Sequence, residues 1–211
     1  AMQAGSAASA QLQIDYTRSN EQEADRIGIA MLARAGFDPN AAASFFSTMA
    51  EEYRMVSRPP ARLLTHPLTE SRIADARNRA GDYPRRYLPI NKQFELAKAR
   101  IKARYSFEPD YAVEYYEAAV EQNVQRSKEA SLYGLALAYM RDDKTEKAKK
   151  IMDELIAGDS SNLFYLDAMT DIYISLGEPL KAVNLLKPHV THNPRNQVLA
   201  LNQANAYISA Q

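Results

Sequence analysis

Glu21 and Asp25 stand four residues apart in the stretch Ser19-Asn20-Glu21-Gln22-Glu23-Ala24-Asp25-Arg26-Ile27-Gly28. On a helix that spacing projects both carboxylates from one face. Like charges so placed repel by about 0.2–0.5 kcal/mol, so a cation is expected beside them: a metal, a histidine or an arginine. Gly28, one turn further on, costs about 1 kcal/mol against alanine inside a helix and lets another backbone come close. A plainer reading stands next to this one. Acidic residues at the start of a helix complement its dipole and need no site at all; charge and periodicity alone favour it. The other pattern that invites chemistry is the H-x-x-H pair His189 and His192. It precedes Asn193-Pro194, where histidines in a last helical turn meet unpaired carbonyls, and no carboxylate is near in sequence. A helix-end role is expected there rather than a metal.

The elements that must position the carboxylates are legible from their punctuation. A first helix is expected to begin near Ser19, after a small, polar and frayed stretch over residues 1–12. Glu21 and Glu23 would lie in its first turn, Ala24, Ile27, Met31 and Leu32 would form its apolar face, and Gly36 would end it. Phe37-Asp38-Pro39-Asn40 reads as a tight turn. The next helix should run from about Asn40 to Met55 and bury Phe45, Phe46 and Met49. Ser57-Arg58-Pro59-Pro60 forces a break, and an extended segment follows through His66 and Pro67. Thr69 is expected to cap a third helix over Glu70 to Ala80, stopped by Gly81. The stretch from Asp82 to Pro89, with Arg85-Arg86, reads as a domain joint.

Beyond the joint a ruler appears. Tyr105, Tyr139, Tyr173 and Tyr207 are each thirty-four residues apart, as are Ala148 and Ala182, Leu132 and Leu166, and Asn162 and Asn196. Thirty-four residues is the length of a tetratricopeptide repeat, a helix–turn–helix unit that stacks on its neighbours. The small alanine lets the two helices of a unit approach, and the tyrosine fills space between units. The asparagines cap helices after Asp159-Ser160-Ser161 and Asn193-Pro194-Arg195. The first repeat is irregular: Ala112 precedes Tyr139 by twenty-seven residues, whereas Ala148 and Ala182 precede the next tyrosine by twenty-five. End repeats depart from the pattern because one face meets something else. Tyr105, Tyr111, Tyr115 and Tyr116 read chiefly as interhelical packing; any ring left exposed would suit a peptide-binding surface. The expected fold is all-α.

Composition sets bounds on function. Lys and Arg number 26, as do Asp and Glu, so the net charge is zero and the basic excess of a nucleic-acid binder is missing. The longest apolar run, Leu132 to Tyr139, is far short of the roughly 18 residues of a membrane span. Zero cysteines exclude disulfides and thiolate metal sites. No leader peptide is visible, and Ala1-Met2 opens in mid-pattern, so a longer parent protein is expected.

Three motifs occur in a telling order: Glu21-x-x-x-Asp25, then Ala35-Gly36-Phe37-Asp38-Pro39, then His66-Pro67-Leu68-Thr69-Glu70-Ser71-Arg72-Ile73. Together they resemble the downstream half of a zinc metallopeptidase family that includes HtpX and the CAAX-prenyl proteases. With the repeats appended, the likeness is to members acting in outer-membrane β-barrel assembly. The resemblance implies residues 1–90 as the C-terminal part of a zincin-like domain and residues 91–211 as a tetratricopeptide-repeat α-solenoid. It further implies Zn2+ as cofactor, bound by two histidines of an H-E-x-x-H helix and a downstream glutamate that matches Glu21. Asp25 would orient a ligating histidine, His66 would occupy the open metal position or donate to the oxyanion, and Arg72 would brace the acidic cluster. A Gram-negative periplasm, with β-barrel clients and the barrel-assembly machinery as partners, is implied as well. One departure is large. The sequence contains no H-E-x-x-H, so the chain as written is expected to be inactive, with that segment upstream. The competing reading is a non-catalytic repeat scaffold capped by its first 80 residues.

Overall fold

The computed structural model describes residues 2–54, 68, 70–122 and 127–211, with side chains from residue 16 onward except Tyr53. Among these residues the fold is all-α, without strands. The chain falls into two compact units, Ala1–Pro89 and Ile90–Gln211.

The N-terminal unit contains α1 (Met2–Arg34), α2 (Asn40–Arg54) and α3 (Glu70–Gly81). Helix α3 packs on both α1 and α2. Its core is thin, with Ile29, Ala43 and Ala76 buried and Ala42, Phe46 and Tyr83 packed around them. Helix α1 stops where Gly36 takes a φ of +87°, a conformation that costs glycine nothing. The amides of Ala35 and Phe37 close the end onto the carbonyls of Met31 and Leu32, each at 2.9 Å. Asp38 then caps the start of α2, its Oδ1 accepting from the Asn40 amide at 3.0 Å.

Several expectations fail here. Helix α1 begins at Met2 rather than near Ser19, so residues 2–12 are helical and Glu21 and Glu23 lie well inside the helix. The dipole at a helix start therefore offers them nothing. The face of α1 turned inward carries Glu21, Asp25, Gly28, Ile29 and Leu32, each buried or half-buried. Ala24 is exposed, as are Ile27 at 46% and Met31 at 55%. The apolar stripe lost to a charged one because an arginine waits on α3. On α2, Phe46 and Met49 are half-buried but Phe45 is 59% exposed. The Pro59-Pro60 break, the extended segment through His66 and the Thr69 cap lie outside the described residues.

The C-terminal unit runs α4 (Lys92–Ile101), a π-helical turn (Lys102–Ser106), α5 (Pro109–Glu121), α6 (Lys128–Arg141), α7 (Thr145–Gly158), α8 (Leu163–Ser175), α9 (Pro179–His192) and α10 (Gln197–Ser209). Consecutive helices from α5 to α10 pack on one another, the π-helical turn packs on α5, and α6 also packs on α4 and α8. Asn162 and Asn196 cap as their types dictate: Asn162 accepts from the Phe164 amide, Asn196 from those of Val198 and Leu199. Ala112, Ala148 and Ala182 are fully buried, as close helix approach requires. The tyrosine ruler divides. Tyr139 is buried and Tyr173 half-buried, whereas Tyr105 is 75% and Tyr207 51% exposed. The exposed pair belongs to the unit's first and last helical stretches. Arg141 donates to the carbonyls of Ala103 and Phe107 at 2.7 and 2.6 Å, satisfying acceptors the π-helical turn leaves over.

Candidate functional site: a buried carboxylate pair

Glu21 and Asp25 share a turn-to-turn face of α1, and α3 lays Arg72 against both. The guanidinium donates from Nε to Asp25 Oδ2 at 2.7 Å and through its second amino group to Asp25 Oδ1 at 2.8 Å. Its remaining amino group lies 2.9 Å from Glu21 Oε2. Bidentate geometry of this kind fixes both partners' orientation. The side chains are well covered, Arg72 and Asp25 at 10% exposure and Glu21 at 16%. Below the guanidinium lies the Phe46 ring, 5.4 Å from its central carbon. The Asp25 hydrogen bond raises the Arg72 pKa above the ordinary arginine value against the opposing cost of burial, so the cation is permanent.

The repulsion expected from the sequence is thus relieved by an arginine. The three groups still sum to one negative charge in a sheltered position. Beside Asp25 opens an apolar groove of about 490 Å³, lined by Gly28, Leu32, Phe37 and Phe46 among others. A Cβ built on Gly28 would meet nothing within 4 Å. No described chain therefore makes the close approach that Gly28 was expected to permit.

The structure brings together Glu21, Asp25 and Arg72. His66 lies outside the described residues. Among the described residues no group of three or more His, Cys, Asp or Glu converges to hold a metal ion, so these residues alone do not build a metal site. Two carboxylates are hard, anionic donors of the right chemistry for zinc, yet incomplete in number. His192 is spent on its own helix, its Nδ1 2.7 Å from the Pro188 carbonyl oxygen. Sequence reasoning missed Phe46 as part of the site. Its aromatic type at a half-buried position in α2 was visible, but its neighbour across the fold was not.

Residues 1–80 match the model of Peptidase family M48. That match covers the segment that carries the cluster and stops short of the C-terminal unit. The putative beta-barrel assembly-enhancing protease of Vibrio cholerae is 45% identical over 210 residues, 99% of this chain and 43% of the relative. The beta-barrel assembly-enhancing protease of Escherichia coli K12 is 42% identical over 196 residues, covering 92% and 40% of the two chains. That of Yersinia pestis is 36% identical over 198 residues, covering 94% and 41%. The chain spans about two-fifths of the length of these relatives. No helix among the described residues is long and apolar enough to cross a membrane.

Proposed function

We propose that this chain is part of a zinc metalloendopeptidase that acts in outer-membrane β-barrel protein assembly and degrades misassembled clients in the periplasm. Residues 1–90 are its C-terminal protease segment, and residues 91–211 are a tetratricopeptide-repeat domain that holds clients or docks on the assembly machinery. The observation that carries the reading is the buried Glu21–Arg72–Asp25 cluster inside the segment matched to a peptidase family. Like-charged buried side chains are costly to keep without a task.

In this reading Glu21 is a metal ligand and the other donors come from outside the described residues, with His66 as the movable group. Bound zinc would supply an activated water and polarise the scissile carbonyl. The described residues perform the preparation. Asp25 fixes Arg72 through two hydrogen bonds, and Arg72 holds one Glu21 oxygen, which sets the orientation of that carboxylate. A ligand so pre-oriented loses little rotamer freedom on binding. The helical pairs after residue 90, with their thirty-four-residue register, support the repeat assignment. Stacked pairs offer an extended surface, and tethering a client there raises its local concentration near a protease.

The test is metal content and proteolysis of the intact protein in parallel. Glu21→Gln should lose most of its zinc and all turnover. Arg72→Lys, which keeps the charge but not the fork, should retain zinc and lose turnover. A Glu21→Gln protein that retains full zinc removes Glu21 as ligand; an intact protein that binds no zinc leaves a repeat scaffold.

A further inference from the structure

Lys92, Arg100 and Arg104 are spaced by eight and four residues, and Asp159, Asp167 and Asp171 repeat that spacing. Each cation meets its counterpart 67 residues away. Lys92 Nζ lies 3.1 Å from Asp159 Oδ2, Arg100 is hydrogen-bonded to Asp167, and Arg104 reaches Asp171 Oδ2 at 2.6 Å. Arg104 also lies 4.0 Å from Asp167. Asn202 of α10 donates to the other oxygen of Asp167 at 3.1 Å. The row therefore runs from α4 and its π-helical turn to the C-cap of α7 at Asp159 and along α8, and then to α10. Both flanking helices, α4 and α8, pack on α6, so the ion pairs cross the helix between them.

What they cover is unusual. Tyr133 of α6 and Tyr165 of α8 are fully buried, their ring centroids 5.9 Å apart, and Phe164 joins them edge-on. Lys92 stands over the Tyr165 ring at 5.5 Å. Both tyrosine hydroxyls are sealed from solvent and make no well-formed hydrogen bond, with Arg100 beside that of Tyr133 and Lys92 beside that of Tyr165. Burying a hydroxyl without a partner costs free energy. A core of pure packing would place phenylalanine at both positions. The long cationic side chains seal this floor with their aliphatic stems while their charged heads pair across it.

We infer that the Lys92–Asp159, Arg100–Asp167 and Arg104–Asp171 pairs form a latch. It draws α4 and α8 together across α6 and keeps the Tyr133–Tyr165 floor closed; releasing it moves α4 away from α8 and exposes both hydroxyls. The pairs are one-quarter to two-fifths exposed on most members. They are open enough to be screened by salt or displaced by a competing charged segment, and numerous enough to act together. The inference concerns the C-terminal unit alone and stands apart from the metal site.

The natural sequence has no cysteine, so Lys98→Cys and Ser175→Cys, both at exposed positions, accept a pair of spin labels cleanly. Pulsed electron–electron distance measurement then reads the span from α4 to α8 in the full chain. The labelled protein should give one short, narrow distance at low ionic strength. Adding D167R and D171R should shift it to longer distance and broaden it, and the four-residue swap that also carries R100D and R104D should restore it. The milder D167N/D171N protein, and the unmutated latch in about 1 M salt, where screening acts within about 3 Å, should shift in the same sense by less. Helical content from circular dichroism identifies a variant that fails to fold. An unchanged distance in the folded D167R/D171R or D167N/D171N protein, or a swap that does not restore it, overturns the latch.

Discussion

In residues 1–89 the decisive charges lie beneath the surface and the buried apolar residues around them are Ile29, Ile73 and alanines. In residues 90–211 the order is reversed. A continuous core holds Leu96, Tyr116, Tyr133, Leu137, Met152, Tyr165, Met169 and Ile172, and its ion pairs lie half-exposed above it. The contrast teaches what each unit can tolerate. A unit whose centre is an arginine shared by two carboxylates depends on every member staying in place. Breaking such a group leaves an uncompensated buried charge, whereas replacing it whole with apolar groups is often neutral. A unit held by large rings tolerates lost charges and suffers from lost volume.

The largest effects should come from striking each unit at its own weak point. Arg72→Met is expected to cost the N-terminal unit about 3–5 kcal/mol by removing the guanidinium that the two carboxylates share, read as loss of protected amides in α1 and α3 by hydrogen exchange. Combining it with Glu21→Gln and Asp25→Asn should recover most of that loss. A triple variant no more stable than the single would show that the charges are not the unit's weak point. In the C-terminal unit, Tyr116→Ala should cost a similar ~3–5 kcal/mol in denaturant unfolding, because its ring is fully buried and its hydroxyl donates to the Ala99 carbonyl at 3.2 Å.

Next comes overpacking. A Cβ at Gly134 would lie 2.3 Å from the Tyr116 ring. Gly134→Ala should therefore destabilise by about 1–3 kcal/mol, with a smaller penalty when Tyr116 is first reduced to leucine. Equal penalties in the two backgrounds would mean that the ring is not what the methyl meets.

Alkaline pH separates the units in another way. Burial pushes the Tyr133 hydroxyl up to about 12, and burial together with the Glu117 hydrogen bond pushes Tyr139 up to about 12 as well. A folded pKa above the ordinary value of 10.0 means that both tyrosines favour folding fully below pH 10. That contribution is lost as pH rises through 12. Denaturant midpoints of the C-terminal unit should hold until about pH 10 and then fall, and Tyr139→Phe should flatten part of the slope.

The smallest effects belong to helix ends and exposed pairs. Asn196→Ala should cost about 1 kcal/mol through two uncapped amides, whereas removing the exposed Lys149–Asp153 pair should cost no more than about 0.5 kcal/mol. If the exposed pair proves as costly as the cap, the claim that volume governs this unit is wrong.

The helix ends at Gly36, Asp38, Asn162 and Asn196 and the thirty-four-residue register are set locally, so the sequence alone determines them, whereas the start of α1 is not. A side chain reaching two or three residues settles a cap at Asn162, Asn196 or Asp38, a backbone preference settles the stop at Gly36, and a thirty-four-residue period needs no knowledge of neighbours. The Glu21–Asp25 pairing and its demand for a cation follow from the helical pitch. The source of that cation does not. Arg72 is 47 residues from Asp25, and only the packing of α3 on α1 selects the charged face of α1 over its Ile27–Met31 stripe. Tertiary structure likewise decided that Phe45 and Tyr105 face solvent while Phe46 and Tyr139 do not. It also decided that three cations meet three aspartates across α6. In each case the outcome depends on what stands opposite, and that partner is brought by chain folding rather than by sequence neighbours.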